Sequence, residues 1–157
     1  MSESRCPICS NPSGRPVGVV AELAATWVTA VSEAPLPGYV CVVAKRYVTE
    51  PYELVGAERV AFWNECLLTA EVLAGLYQPL KMNYEIHGNT IPHLHMHLYP
   101  RYRGDPYEGG PIDGRVRFGR TWEEVDRIRT AINAAHGIQS SHRNRNSPGD
   151  RGLGSGV

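Results

Sequence analysis

Three histidines alternate with apolar residues in the run His93-Leu-His95-Met-His97-Leu-Tyr99, and they are three of the chain's six. Imidazole is a nucleophile, a proton carrier and a metal ligand, so its type and spacing here bear on chemistry. Side chains on a strand alternate faces with period two. The spacing therefore predicts a row of imidazoles ~7 Å apart on one face. Leu94, Met96 and Leu98 then close onto a core on the other. Such a row can be a solvated polar face, a metal site or a nucleophilic centre. A His-X-His pair chelates zinc if a third ligand comes from elsewhere, and Glu85 and His87 on the preceding strand could approach it. Alternatively, a neutral imidazole attacks phosphorus to give a covalent phosphohistidine, splitting one displacement into two. Neighbouring imidazoles and backbone N–H groups would then hold the anionic oxygens.

The elements that must position this row can be read on either side of it. Val17–Glu22 and Ala25–Ser32 are rich in valine, alanine and threonine and are expected to be strands. Pro35-Leu-Pro-Gly38 breaks the chain, and the β-branched run Tyr39–Ala44 should pair back as a hairpin. From Glu53 to about Tyr77 the pattern is helical, with Val60, Trp63, Leu67 and Ala70 on one stripe. Phe62, Cys66, Leu73 and Leu76 widen that stripe beyond a single seam. A helix apolar over so wide an arc is expected to bury one side on its own sheet and the other on a second subunit, a homodimer. Lys81–His87 and Pro92–Tyr99 read as further strands, Arg101–Gly119 as loop, and Thr121–Ala135 as a helix ended by Gly137. The fold class is α+β, a mainly antiparallel sheet of about five strands with one long and one C-terminal helix. A Cys-containing arm (1–16), one domain (17–136) and a disordered polar tail (137–157) make up the expected organisation.

Composition narrows the function classes. A chain of 157 residues suffices for one domain with a real core. Sixteen Lys plus Arg balance sixteen Asp plus Glu, which argues against a broad grip on nucleic acid or anionic membrane. No apolar run approaches the ~20 residues of a membrane span. The start Met1-Ser-Glu-Ser-Arg-Cys6 lacks an apolar signal core, and the four cysteines then read as reduced thiols or a metal pair in the cytoplasm.

The histidine run resembles the histidine-triad (HIT) superfamily, whose motif is His-φ-His-φ-His-φ-φ with φ apolar. His93-Leu-His-Met-His-Leu-Tyr99 fits it without a mismatch, and Pro100-Arg101 is also like the family. Pro37-Gly38 followed by Val40–Ala44, Lys45-Arg46-Tyr47-Val48 and Glu53-Leu54 is similar to the family's hairpin and its lead into the long helix. The resemblance implies a HIT-like fold and a nucleotidyl hydrolase or transferase acting at the α-phosphate of a dinucleoside polyphosphate or nucleoside phosphoramidate. In that family the middle histidine takes up a nucleoside monophosphate, a role that falls on His95. His97 would contact the phosphate oxygens, and His93 would orient the site or ligate zinc. Thr90 would assist the leaving group, Asn89 would contact the phosphate, and Asn83 matches an asparagine at the nucleotide site of some members. No cofactor is implied for the chemistry itself, although a polyphosphate substrate arrives with Mg²⁺.

Two departures from the family stand out. Relatives with a structural zinc hold it by Cys-X-X-Cys, the first motif histidine and a histidine after the hairpin's Lys-Arg. Cys6, Cys9 and His93 fit three of these places, but Tyr47 stands in the fourth, and a phenol of pKa ~10 is a poor ligand at neutral pH. Where the family places an Asp or Asn for the ribose, this chain has Val31; Thr29, Ser32 or Glu33 could substitute. Two other functions remain open at this stage: a nucleotide-binding regulatory protein with negligible turnover, and a metal-dependent hydrolase using the histidine row.

Overall fold

The computed structural model describes residues 6–145. Its strands in chain order are β1 (Val19–Glu22), β2 (Thr26–Thr29), β3 (Glu33–Ala34), β4 (Val40–Ala44), β5 (Lys81–Glu85), β6 (His95–Arg101) and β7 (Phe118–Gly119). Five of them form an antiparallel sheet in the order β1-β2-β4-β6-β5, and β3 and β7 pair as a separate ribbon. Helices α1 (Gly56–Tyr77) and α2 (Trp122–Arg145) complete the α+β architecture. Neither is long and apolar enough to cross a membrane.

Period-two alternation divides the sheet into two unlike faces. Val40 and Val42 of β4 stand opposite Leu98 and Met96 of β6, and these residues join Phe62, Cys66, Ala70 and Leu73 of α1 and Val125, Ile128 and Ile132 of α2 in one core. Burying each such side chain contributes roughly 1.5–3 kcal/mol, so the helices are held on this face by apolar area. Cys41 and Val43 stand opposite His97 and His95 on the other face, which carries no helix.

Two polar ties fix the helices to the sheet. Glu65 of α1 is buried and accepts the Ala25 N–H at 3.1 Å and the Thr26 hydroxyl at 2.7 Å, so the β1–β2 turn satisfies a carboxylate that burial would otherwise penalise. The turn before β4 needs glycine: Gly38 has φ +75°, and a Cβ there would lie 2.8 Å from the Tyr77 ring. Its N–H donates to Glu124 of α2, which also accepts the Tyr77 hydroxyl.

Four expectations change. β6 begins at His95 rather than Pro92, because Leu94 directs its N–H to Val48 and not to a ladder partner. The segment expected to be plain loop contains β7. Gly137 does not end the last helix, which runs on to Arg145; it takes no left-handed φ, and glycine within a helix costs only ~1 kcal/mol relative to alanine. Of the expected arm and tail, residues 1–5 and 146–157 lie outside the described residues, while 138–145 belong to α2. The wide stripe of α1 also divides: Phe62, Cys66, Ala70 and Leu73 are buried, whereas Val60, Trp63 and Leu67 are 59%, 39% and 52% exposed.

Candidate active site

The helix-free face of the sheet opens onto a cavity of about 390 Å³ whose polar lining includes His95, His97, His87, Asn89, Thr90 and Arg117. Among the described residues no carboxylate lines it, and Arg117 is the one fixed cation that does. The site is thus suited to an anionic group.

A hydrogen bond sets the tautomer of its central histidine. Nδ1 of His95 lies 2.6 Å from the backbone oxygen of His93. A carbonyl can only accept, so Nδ1 carries a proton, and whenever the ring is neutral it is Nε2 that keeps the lone pair. That nitrogen is the atom with which imidazole attacks an electrophile.

His97 lies edge-on to His95 with ring centroids 4.9 Å apart, and it stacks with Tyr39 and Tyr99 at 5.9 and 5.7 Å. The Tyr39 hydroxyl is 2.8 Å from His97 Nδ1. Burial holds both phenols far above their ordinary pKa and pushes the Cys41 thiol up to about 12, so these three neighbours of His97 are neutral. Burial first, and then the imidazoles of His95 and His87 and the charge of Arg117, lower the His97 pKa from 6.5 to about 4. In the tautomer in which the Tyr39 hydroxyl donates to Nδ1, neutral His97 presents its Nε2–H as a donor beside His95.

The third histidine departs from the expected row. His93 is 1% exposed, precedes β6 and does not line the cavity. Its Nε2–H donates to the Ala44 oxygen at 2.7 Å, which leaves the Nδ1 lone pair facing Cys6 Sγ at 3.4 Å and Cys9 Sγ at 3.5 Å. These three ligand atoms lie within 4.8 Å of one another. Ligands of a tetrahedral zinc, with metal bonds of ~2.3 Å to sulfur and ~2.0 Å to nitrogen, stand about 3.5 Å apart, so donor type and spacing both fit that metal. The Tyr47 ring packs edge-on to His93 at 5.5 Å, in the neighbourhood where the family's fourth ligand was expected.

Other expected residues divide in the same way. Asn89 and Thr90 line the cavity, following Gly88, whose φ of +85° turns the chain out of β5. Asn83 sits on β5 opposite Tyr99 and is not among the lining residues. Neither Val31 nor its proposed substitutes line it, and the Thr29 hydroxyl is spent on the Cys41 oxygen. Sequence reasoning missed Tyr39 and Arg117, whereas His87, expected to be able to approach the histidine row, does line the cavity. A tyrosine just before an apolar strand and an arginine in a Gly/Pro-rich loop carry no local signal. The spacing of Glu85 and His87 did.

A depressed histidine pKa makes stability pH-dependent. The unfolded chain takes up a proton on His97 below about 6.5, whereas the folded chain resists until about 4, so stability should fall as pH drops through that window. We expect a histidine resonance with a midpoint near 4 in an NMR titration; a His97 midpoint at or above 6.5 would contradict the buried, aromatic-packed geometry.

Comparison with known proteins bears on the same residues. The HIT domain model matches residues 16–104, more than half of the chain. A histidine triad protein of Bradyrhizobium japonicum superposes with a TM-score of 0.68 at 22% identity, over 75% of this chain and 89% of that one. A zinc-bound histidine triad family protein of Mycobacterium smegmatis gives 0.60 at 18% identity, over 90% and 99%. The diadenosine triphosphate hydrolase of Plasmodium falciparum gives 0.52 at 17% identity, over 83% and 79%. A search of curated proteins finds no significant match. With the motif placed on a strand and the fold shared with these structures, the chain belongs to the histidine-triad (HIT) family.

Proposed function

We propose that the protein is a nucleotidyl hydrolase or transferase that cleaves at the α-phosphate of a nucleotide through a covalent nucleotidyl-histidine. The carrying observation is the bond from His95 Nδ1 to the His93 oxygen, which reserves Nε2 as the nucleophilic nitrogen of the neutral ring, in a cavity that no carboxylate among the described residues lines. Nε2 attacks phosphorus in line, and the cation that forms on His95 is stabilised by the His93 carbonyl at Nδ1. The Nε2–H of His97 and the amide of Asn89 hold the non-bridging oxygens, whose charge grows in the transition state. Thr90 hydrogen-bonds the leaving group, and Arg117 balances the charge of the phosphate chain. Water, or phosphate in a phosphorylase, then discharges the intermediate. A dinucleoside polyphosphate, which would arrive with Mg²⁺, or a nucleoside phosphoramidate fits this chemistry. The fold shared with a diadenosine triphosphate hydrolase agrees with the first.

Cys6, Cys9 and His93 are proposed to hold a structural zinc, with water completing the set. The ion would order the N-terminal arm against the turn that carries His93. The exposed stripe Val60, Trp63 and Leu67, together with Tyr84 on edge strand β5, is proposed as the seat of a second copy of the chain. Pairing would cover the apolar stripe and the unpaired edge together.

Three experiments test these assignments. Incubation with dinucleoside polyphosphates and phosphoramidates, followed by acid-free intact-mass measurement, should show an adduct of one nucleoside monophosphate or released product. His95→Ala should abolish both, a loss of at least ~10³-fold; undiminished turnover by that variant would refute the covalent route. Elemental analysis of purified protein should find one zinc per chain, absent from Cys9→Ser, and a metal content unchanged by that substitution would remove the assignment. Light scattering should give twice the chain mass, reduced to one chain mass in Trp63→Glu; a monomeric parent protein would rule out the pairing.

A further inference from the structure

Glu85 is the last residue of β5 and stands opposite His97 in the β5–β6 ladder. Two residues on, His87 turns back so that its Nε2 lies 2.9 Å from Glu85 Oε2. The His87 ring lies 5.9 Å from that of His97, whose other neighbour at 4.9 Å is His95. His87 lines the same cavity, yet the nucleotidyl-transfer reading gives it no task.

That reading leaves one task without a residue. In an in-line displacement the leaving atom departs on the side of phosphorus away from the nucleophile, beyond the reach of His95. An amine or alkoxide leaves readily only with a proton. Arg117 does not surrender one. Tyr39 and Tyr99 are held protonated by burial, and His97 is neutral at physiological pH. A threonine hydroxyl such as Thr90 orients a leaving group but is too weak an acid to protonate it. Histidine is the side chain suited to proton transfer near neutral pH, and His87 is the one remaining among the described residues that line the cavity. The groups facing it are Glu85 of β5, His97 of β6 and Arg117 of the segment before β7.

Building on the nucleotidyl-transfer reading, we propose that His87 is the general acid and base of the reaction, with Glu85 as its positioning residue. The carboxylate fixes Nε2–H, so Nδ1 is the nitrogen left to meet the substrate. As the bond from His95 Nε2 to phosphorus forms and the bond from phosphorus to the leaving atom breaks, the imidazolium of His87 passes its Nδ1 proton to that atom. The ring is left neutral with Nε2–H still on Glu85. In the second step Nδ1 takes a proton from the attacking water as the water oxygen bonds phosphorus and the bond to His95 breaks. The proton count is restored. Glu85 stabilises the imidazolium in the same manner as a carboxylate behind a catalytic histidine elsewhere.

A leaving-group comparison tests this role. Adenosine 5′-(4-nitrophenyl phosphate) releases a stable anion that needs no proton, whereas the alkylamine phosphoramidate of AMP needs one. His87→Gln should lower kcat/KM for the phosphoramidate by roughly 10²–10⁴-fold and for the nitrophenyl ester by at least tenfold less. Glu85→Gln should show the same asymmetry in smaller measure, partly rescued by Glu85→Asp. His87 and Glu85 lie outside the apolar core, so both variants should fold, as a thermal melt would verify. Equal losses on the two substrates, or none on either, would overturn the acid–base role while His95→Ala still abolished turnover. Turnover of neither compound by the parent protein, or full turnover by His95→Ala, would instead defeat the nucleotidyl-transfer reading and this one with it.

Discussion

The backbone oxygen of His93 accepts the Nδ1–H of His95 at 2.6 Å, and the geometry of the site depends on that bond. It decides which nitrogen of His95 is bare and which way the ring faces. The same residue is anchored by its own ring, with Nε2–H on the Ala44 oxygen and Nδ1 toward Cys6 and Cys9. Ala44 in turn donates its N–H to the Leu94 oxygen, so the turn before β6 is stitched to the end of β4 from both sides. His93 therefore serves the site from behind, through its carbonyl rather than its imidazole. Any disturbance of the thiol cluster reaches His95 through a single peptide group.

Around that bond the protein builds a site of two electrostatic characters. Toward the sheet, Tyr39 and Tyr99 stack at 4.8 Å with His97 beside both, and burial there favours its neutral ring. Toward the opening, Arg117 and Gly88 line a volume that no carboxylate among the described residues lines. An anion entering the cavity meets donors and the fixed positive charge of Arg117. Glu85 lies just outside the lining and is engaged by His87, so its charge acts on that imidazole first.

The segment after β6 gives the site its outer wall. Arg101 grips Asp105 with Nε at 2.8 Å and Nη2 at 3.0 Å, and Asp105 accepts the N–H groups of Tyr102 and Tyr107. The guanidinium beside Asp105 holds its carboxyl at a pKa of about 2, so the clamp persists across the physiological range. The chain then returns past Ile112, Gly114 and Arg117 to pair β7 with β3. Arg120 follows, buried, and donates to the Val31 and Tyr39 oxygens. A stretch rich in Gly and Pro is thereby ordered by side-chain bonds to backbone together with the short β3–β7 ribbon.

Local chemistry determined much of this protein in advance. Period-two alternation sorted Leu94, Met96 and Leu98 from His95 and His97, and periodicity near 3.6 located α1, because both patterns follow from backbone geometry alone. The motif likewise identified the family. Tertiary structure decided the rest. Alternation placed His93 in the row, but burial against Cys6 and Cys9 and a bond to Ala44 removed it, since a residue before a strand obeys its own partners and not the ladder's phase. Which side of α1 stays exposed depended on where the sheet ended. His87, Tyr39 and Arg117 meet at one cavity from positions 30 residues apart or more, and no spacing rule connects them. Through-space proximity is set by the register of β4, β6 and β5, and that register is a property of the folded sheet.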